Sequence, residues 1–452
     1  MGGLGIMQTI AVDNLIDRQS IGAFQWVIAT LCTLVLVVDG FDAQAIGYVA
    51  PALIKDLGFQ RTLLGPIFTA GLAGLALGAI GLGVVADKLG RKAVLIASLV
   101  LFGLFTLAKG ASSSFGALVA LQFLAGIFMG GAYPCAAALA SEYIPRRRRS
   151  MVVTAASLGF LVGTVAGGIL SAALIPHLGW RSIFVIGGLA PIVLAAVCLV
   201  GVPSSVTQLI NWKVPGDKAV RLLRRVLPAA DLPDNAVLAT PVSTAKSPVS
   251  GLFLNNRGIY TVLIWLTIFM VLITTHFVFT WLPTLFAAAG LSIVGSVWAA
   301  TAFPIGSGIS SLVLTAILKR GWAMLALTAS SILYGVALAS AGTLTGNFTL
   351  LVVAVFLAGI GNGVIGVTMA LNVAVYPPLA RSTGVGWAIG IGRIGSILGP
   401  LLGGVVVQLQ WTTPQILMAA AIPAFIAAGG TAMMWLVPSV RHMLNGALQP
   451  QH

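Results

Sequence analysis

Charged residues are scarce in this sequence. Only 8% of its 452 residues are Asp, Glu, Lys or Arg, whereas 58% are hydrophobic, and the mean hydropathy is +1.05. A chain so poor in charge has too little polar surface to cover a water-soluble globular domain. The composition therefore excludes a soluble protein and indicates an integral membrane protein.

Cysteine is scarce as well. Cys32, Cys135 and Cys198 each fall in an apolar segment, and their spacing is not typical of a metal site or a redox pair. We expect them to be packing residues. The polar segments carry no enzyme motif, so a catalytic role is not predicted.

Acidic residues are scarcer than basic ones. The chain has 10 Asp and Glu against 24 Lys and Arg, which gives a net charge of +14. Such an excess can indicate nucleic-acid binding, but here the basic residues are spread over segment ends and interleave with no aromatic platform. Membrane topology and contact with anionic lipids explain them better, and no nucleic-acid partner is expected.

The sequence is rich in long apolar segments. Twelve of them recur along the chain, each of about 20 residues or more and therefore able to cross the hydrocarbon core as a helix. The short alternating segments of a membrane β-barrel do not occur. The predicted fold class is an all-α membrane protein with twelve transmembrane helices.

One long polar stretch separates six of these segments from the other six. The predicted parts are a tail at 1–23, a bundle at 24–202, a central loop at 203–257, a second bundle at 258–437 and a tail at 438–452. Within the loop, "DKAVRLLRRVL" at 217–227 predicts a short basic helix lying on the membrane surface.

The two halves repeat in sequence. "FLAGI" occurs at 123–127 and again at 356–360, and two proline pairs, Pro51 with Pro283 and Pro191 with Pro423, share an offset of 232. A parallel duplication predicts two pseudo-symmetric six-helix bundles that move around a central site, which is alternating access.

The positions of the basic residues predict the orientation. With the N-terminus inside, nineteen of the 24 Lys and Arg lie in cytoplasmic loops and tails, and Arg393 stays in the membrane. The four cations assigned to the outside are Lys55, Arg61, Lys109 and Arg181. We expect a monomer in a bacterial cytoplasmic membrane, with both termini in the cytoplasm.

Several motifs then resemble a known family. "GVVADKLGRK" at 83–92 is similar to the signature loop of the major facilitator superfamily. Three further motifs resemble the aromatic acid:proton symporters, namely "DGFD" at 39–42, "FTWLPTLF" at 279–286 and "YPPLARSTGVGWAIGIGRIGSILGP" at 376–400. The resemblance implies a major facilitator fold over about residues 24–437 and proton-coupled transport of a small aromatic carboxylate.

Two acids stand in the middle of the first apolar segment. Each of Asp39 and Asp42 would cost about 2.5 to 3.5 kcal/mol if exposed to lipid, so both must face protein or water. Their i, i+3 spacing places them on one helix face. Carboxyls this close should tend to share one proton, which makes them candidate proton-coupling residues. The alternative is a structural pair satisfied by backbone or hydroxyl groups near Gly40.

Arg393 is the candidate that would bind the substrate. Its planar guanidinium suits a carboxylate held by two hydrogen bonds. The alternative is a structural salt bridge with Asp39 or Asp42 across the bundle, and the two roles can coexist.

Other polar and aromatic residues are candidates for substrate contact. His276 and Gln44 each lie seven residues before a repeat proline and are pseudo-equivalent, although packing is an equal alternative for His276. Asn362 is polar at mid-depth in the tenth segment. The residues that could stack on an aromatic ring, or simply pack, are Phe41, Phe277, Trp281 and Trp387.

The signature loop supplies candidate gating residues. Gly83 would permit close helix approach, and the charged residues would pair at the inner face. These are Asp87, Lys88, Arg91, Lys92, Glu142 and Arg146. By resemblance the cluster latches the outward-open state; the alternative is that it only fixes topology.

The sequence also departs from the family. Where relatives carry an Arg early in the fourth helix, Gln122 stands in "LQFLAG", so Gln122 replaces a cation that would pair with the acids or the substrate. Arg393 would then be the only cation within the membrane, and the acid pair would depend on protonation rather than on a salt bridge. No Asp or Glu follows Asp234, so a proton site in the second half would have to be His276.

The predicted function is import of a small aromatic carboxylate with protons as the coupling ion and no other cofactor. The candidate substrates are hydroxybenzoate, protocatechuate, benzoate and aryloxyacetate. One rival is an exporter or exchanger of organic anions, although "GTVAGG" at 163–168 lacks the proline of the antiporter motif. The other is a membrane receptor that senses the acid.

Overall fold

A computed structural model of the chain describes residues 9–11, 16–17, 22–205, 208, 237–239, 248–254, 257–318 and 323–448. Twelve spans in this part of the chain are long and apolar enough to cross a membrane. They are formed by α1 (Ala23–Leu57), α2 (Leu64–Leu89), α3 (Arg91–Ala111), α4 (Phe115–Tyr143), α5 (Arg146–Leu178), α6 (Arg181–Gly201), α7 (Gly258–Ala288), α8 (Ile293–Leu318), α9 (Ala323–Ala341), α10 (Phe348–Asn362) with α11 (Val364–Val375), α12 (Pro378–Gln408) and α13 (Thr413–Leu436). The predicted fold class is confirmed.

Smaller elements complete the described part. The tenth span is divided into α10 and α11 at Gly363, and α14 (Pro438–Leu448) follows the last span. Two three-residue strands, β1 (Thr9–Ala11) and β2 (Val237–Ala239), pair in parallel. The surface helix predicted at 217–227 lies outside the described residues and stays a prediction.

Glycine ends the first two spans where the chain must leave the helix. Gly58 closes α1 in the left-handed region with φ of 66°, and its N–H donates to the Ile54 carbonyl at 3.0 Å. Gly90, with φ of 106°, separates α2 from α3 in the signature loop. Side chains other than glycine rarely adopt these angles, so the short turns between long helices depend on these two positions.

The same glycine contacts build both halves. A Cβ on Gly74 of α2 would strike the Phe123 carbonyl of α4, and a Cβ on Gly306 of α8 would strike the Phe356 carbonyl of α10. These residues are separated by the offset of the sequence repeat, 232 or 233 residues. Because only a side chain no larger than hydrogen fits there, the helices approach closely. The duplication is therefore present in the packing as well as in the sequence.

The two halves meet along a seam on one side of the membrane. We call the side where α1 begins and α13 ends the terminal face, and the other side the opposite face. At the seam, Gly65 of α2 packs on Gly404 of α12, and the ring of Phe68 meets the Trp281 ring edge-on with centroids 5.5 Å apart. These residues lie in the halves of their helices nearer the opposite face, so the seam closes the central space on that side.

The central space opens on the other side of the seam. Tyr133 of α4 lies past mid-helix toward the terminal face and is 39% exposed. It shares the interior of the bundle with Arg393, whose charge acts on it. Because Tyr133 is exposed at this depth and lies within electrostatic range of Arg393, we infer a space between the halves that communicates with the terminal face.

Candidate functional site

Four helices bring polar side chains to the central space. Asp39 comes from α1, Tyr133 from α4, His276 from α7 and Arg393 from α12. None of them is fully buried, although all lie in the interior of the bundle. Asp39, Tyr133 and Arg393 are near enough for their charges to act on one another, and Arg393 also acts on His276. The site therefore joins residues of both halves.

Arg393 has no acidic partner. Among the described residues no carboxylate forms an ion pair with its guanidinium. The structural salt bridge that the sequence left open as an alternative is therefore not formed in this conformation. With no ion pair to a described acid, the half-buried guanidinium has donors available for a planar anion.

One ring nitrogen of His276 is bonded within its own helix, and the other is available to a ligand. Its Nδ1 lies 3.1 Å from the Leu272 carbonyl oxygen, one turn earlier on α7. Since a carbonyl can only accept, Nδ1 carries the hydrogen, and in the neutral ring Nε2 is left as an acceptor. The imidazole can therefore accept a hydrogen bond from a ligand hydroxyl.

Asp42 forms a salt bridge that the sequence did not predict. The Lys109 ammonium donates to Asp42 Oδ1 at 3.1 Å and to Gln122 Oε1 at 2.9 Å. Lys109 is 1% exposed, and its Nζ lies 5.3 Å from the centroid of the Phe184 ring. Asp42, Lys109 and Gln122 thus form a buried cluster inside the N-terminal half.

This cluster corrects three predictions. Lys109 does not face the outside, Arg393 is not the only intramembrane cation, and Asp42 does depend on a salt bridge. The reason is the position of Lys109, two residues before the end of α3. A lysine at a helix end normally extends its flexible side chain toward water, but this one points inward because a buried carboxylate lies within its reach.

Three of the four candidate aromatics pack the bundle. Trp281 is fully buried, and its Nε1 donates to the Pro400 carbonyl at 3.0 Å. Phe277 is buried beside Gly399 of α12, and Phe41 is buried against Gly187 of α6. All three rings are buried in this conformation, and their predicted contact with a substrate stays a prediction.

Trp387 is the exposed member of the aromatic set. It is 45% exposed and stacks on Trp265 of α7, with centroids 5.8 Å apart and planes 24° apart. It also lines a groove of about 480 Å³ along α12. Trp265 lies three helical turns before His276, so the two side chains share a face of α7. Sequence reasoning missed Trp265, Tyr133 and Lys109; the inward face shared with His276 could have indicated Trp265.

Asn362 and Gln44 are engaged by the protein itself. Asn362 Oδ1 accepts from Thr275 Oγ1 at 2.6 Å, and its Nδ2 donates to Ser307 Oγ at 3.2 Å. Gln44 is buried, and its Nε2 donates to the Tyr48 hydroxyl at 3.3 Å. Both ends of the Asn362 amide therefore crosslink helices of the C-terminal half, and its predicted ligand contact stays a prediction.

Comparison with known proteins identifies the family. The model of the Major Facilitator Superfamily matches residues 32–344. The chain belongs to this superfamily. A 4-hydroxybenzoate transporter of Pseudomonas aeruginosa, PcaK, is 36% identical over 443 residues, which cover 96% of this chain and 98% of the relative. A gallate transporter of Pseudomonas putida is 36% identical over 95% of this chain and 97% of its own length.

The relatives place the chain among the aromatic acid transporters of the superfamily, so it is a multi-pass membrane transport protein and not an enzyme. A solved structure gives the same fold independently. The crystal structure of a D-xylose-proton symporter superposes with a TM-score of 0.71 at 15% identity, over 93% of this chain and 99% of that one.

The superfamily signature loop forms a charged cluster at the terminal face. Arg91 pairs with Glu142 of α4, and Asp87 lies 3.9 Å from Arg91. Ser205, just past α6, also donates to Glu142 at 2.8 Å, and the Lys92 ammonium donates to the Leu199 carbonyl at 2.7 Å. The predicted charge pairing is therefore present, and it joins helices of the N-terminal half.

Two of the other candidate gating residues, Lys88 and Gly83, do not join this cluster. Lys88 is exposed, and the side chain of Arg146 lies outside the described residues. Gly83 is not a close-packing position, because a Cβ there would meet nothing within 4 Å. The expected close approach at Gly83 is wrong for this conformation, since the halves are separated at the terminal face; Gly74 makes such a contact deeper in α2.

A second cavity lies at the opposite face, outside the seam. It has a volume of about 910 Å³ and is lined by residues of both halves, including Lys55, Arg61 and Arg181. Arg181 pairs with Asp56 at 2.8 Å and covers the Trp180 ring at 4.4 Å. These three cations are at the opposite face, as the sequence predicted.

Proposed function

We propose that the protein imports a small aromatic carboxylate together with protons across the cytoplasmic membrane. The observation that carries the proposal is the unpaired guanidinium of Arg393, which lies in the central space with the ionisable side chains of Asp39 and Tyr133. An arginine that forms no ion pair with a described acid keeps its donors for an anion from solution.

The aromatic part of the substrate has partners nearby. Tyr133 is accessible on α4, and the stacked pair of Trp265 and Trp387 lies toward the terminal face. The free Nε2 of His276 favours a ring that carries a hydroxyl group. Since the relatives are named for 4-hydroxybenzoate and gallate, we propose a hydroxylated benzoate as the substrate.

Coupling to protons follows from the charges of Asp39 and Arg393. While the site is empty, the guanidinium favours the ionised form of Asp39. A substrate carboxylate bound to Arg393 offsets that charge and adds a negative one, so Asp39 then gains a proton more readily. Anion and proton therefore favour each other's binding, and this reciprocal effect is the requirement for symport.

Transport by alternating access needs a second conformation. The described one is closed at the seam and open at the terminal face. With both termini in the cytoplasm, as the basic residues favour, it would release substrate inside the cell. Separation of the seam and closure of the charged cluster at the terminal face would expose Arg393 to the other side.

Reconstituted vesicles test this function. Purified protein in proteoliposomes should accumulate labelled 4-hydroxybenzoate when the outside is made more acidic, and a protonophore should abolish the accumulation. The Arg393→Ala variant, reconstituted at equal density, is the matched control and should show none. Exchange without gradient-driven accumulation would identify an exchanger, and loss of substrate under the same gradient would identify an exporter; either result contradicts the proposal.

A further inference from the structure

We propose that Lys109 is a positioning residue that holds Asp42 as a permanently ionised partner, so that Asp39 alone exchanges the coupling proton. The inference rests on the proposed symport and assigns roles within its site.

The first argument is the burial of the Lys109 charge. Its ammonium has three N–H donors and is almost fully enclosed, with Asp42 Oδ1 at 3.1 Å and Gln122 Oε1 at 2.9 Å as acceptors. Asp42 is the only acid that forms an ion pair with Lys109 among the described residues. A buried ammonium needs a nearby negative charge, so protonation of Asp42 would leave Lys109 uncompensated. Proton uptake at Asp42 is therefore opposed by its own partner.

The second argument is that the two acids of α1 face different surroundings. The Asp42 side chain is 12% exposed and points into the N-terminal half, toward α3 and α4. Asp39, one turn earlier, interacts with Tyr133 and with Arg393 of the other half. Asp39 is therefore the acid within electrostatic range of Arg393 and of the anion proposed to bind there, whereas Asp42 is engaged by Lys109.

The third argument is the position of the charge. Lys109 Nζ is hydrogen-bonded to the Gln122 side chain. The ammonium charge therefore lies at a place that a cationic side chain longer than glutamine, attached at position 122, would also reach. The space is tight, since a Cβ on Gly71 would come within 2.7 Å of Gln122 Nε2. An arginine at 122 and the lysine at 109 would therefore compete for the same volume. With Gln122 on α4, the positive charge at this place comes from Lys109 on α3.

The proton step is then confined to one carboxyl. The Asp39 carboxylate forms an O–H bond with a proton taken from water on the opposite side, and that bond breaks toward water at the terminal face. The three N–H bonds of Lys109 and the charge of Asp42 stay unchanged through the cycle.

Moving the charge between helices tests the role of Lys109. The variants are Lys109→Gln and Lys109→Gln/Gln122→Arg, compared with the parent in proteoliposomes for gradient-driven accumulation of 4-hydroxybenzoate and for exchange without a gradient. We expect Lys109→Gln to lower accumulation about tenfold or more, and the double variant to recover most of it. A folded double variant that exchanges substrate but recovers no accumulation would overturn the inference.

Neutralising the acids tests the assignment of the proton. The paired variant Asp42→Asn/Lys109→Gln buries no unpaired charge, so it decides the question even where Lys109→Gln fails to fold. We expect it to accumulate less substrate than the parent but with the parent's pH dependence, whereas Asp39→Asn should exchange substrate without accumulating it. Loss of accumulation in the folded paired variant, with exchange retained, would assign the proton to Asp42 and refute the inference. If the parent itself does not accumulate substrate, the proposed symport fails instead.

Discussion

The two six-helix halves share their scaffold but differ in chemistry. The N-terminal half holds Asp39 and a buried salt bridge between Asp42 and Lys109. The C-terminal half holds Arg393 and a neutral network in which Thr275 and Ser307 flank Asn362. Glycine contacts such as those of Gly74 and Gly306 are nevertheless repeated in both.

This difference shows how a duplicated bundle can separate two tasks. No Asp or Glu occurs after Asp234, so the C-terminal half contains no acid that could neutralise Arg393. The N-terminal half has two acids in the middle of α1, Asp39 and Asp42, and Asp42 is already paired with Lys109. Across the central space, the unpaired cation Arg393 therefore faces the unpaired acid Asp39. Binding of a proton or an anion changes the net charge of the two.

Removing the charge of Asp42 should have the largest effect. Asp42→Asn leaves Lys109 buried without a counter-charge, and breaking a buried pair in this way costs about 3 to 5 kcal/mol. We expect a markedly lower melting temperature in detergent, monitored by size-exclusion chromatography after heating. The paired variant Asp42→Asn/Lys109→Gln should restore most of the loss. A single variant as stable as the parent would show that the salt bridge does not stabilise the N-terminal half.

Removing Arg393 should weaken binding and spare the fold. Arg393→Ala loses the cation of the proposed carboxylate contact, which costs about 2 to 5 kcal/mol of binding free energy. Calorimetry with 4-hydroxybenzoate should show this loss, while the melting temperature stays close to that of the parent, because no protein acid is left unpaired. Arg393→Lys, which keeps the charge but not the planar fork, should fall between the two. Unchanged affinity in Arg393→Ala would remove the residue from the substrate site.

Breaking the neutral network should have a smaller effect on stability. Asn362→Ala leaves Thr275 and Ser307 without their shared partner, at a cost of about 1 to 3 kcal/mol. The melting temperature should fall while substrate affinity changes little. The exposed helix cap Asn347 offers a control, since Asn347→Ala changes the same residue type away from the network. A loss of affinity as large as that of Arg393→Ala would instead show that Asn362 contacts the ligand.

The exposed pair at the opposite face should matter least. Arg181 and Asp56 have side chains that are 47% and 48% exposed, and surface pairs of this kind contribute little to stability because water screens them. Arg181→Ala should shift the melting temperature by a few degrees at most, and less at high salt because ions screen the pair. A large, salt-independent shift would show that packing of Arg181 on Trp180 dominates.

Much of the fold could be predicted because it follows from apolar length and from the repeat. Twelve spans, the central division and the alignment of Pro51 with Pro283 need no knowledge of tertiary contacts. Arg393 was predicted as well, because a cation in the middle of an apolar segment must face the interior. Such features depend on where a residue lies along its own helix.

The rest of the site depends on contacts between helices. Lys109 lies at a helix end, a position that predicts a cation at the membrane interface. Its side chain points inward only because Asp42 of α1 lies within its reach. The accessibility of Tyr133, the burial of Trp281 and the empty space beside Gly83 likewise follow from which end of the bundle is closed. One sequence serves both conformations, so it cannot give these properties for either alone.

The seam at Gly65 and Gly404 also decides what a binding measurement reports. A ligand on the opposite side reaches Arg393 only in the fraction of molecules whose seam is separated. Its apparent dissociation constant from that side is the intrinsic constant divided by this fraction, whereas a ligand on the terminal side meets an accessible site. Detergent-solubilised protein exposes both faces at once, so its affinity is weighted toward the accessible side. Vesicles that present only the opposite face to the ligand would report the weaker value.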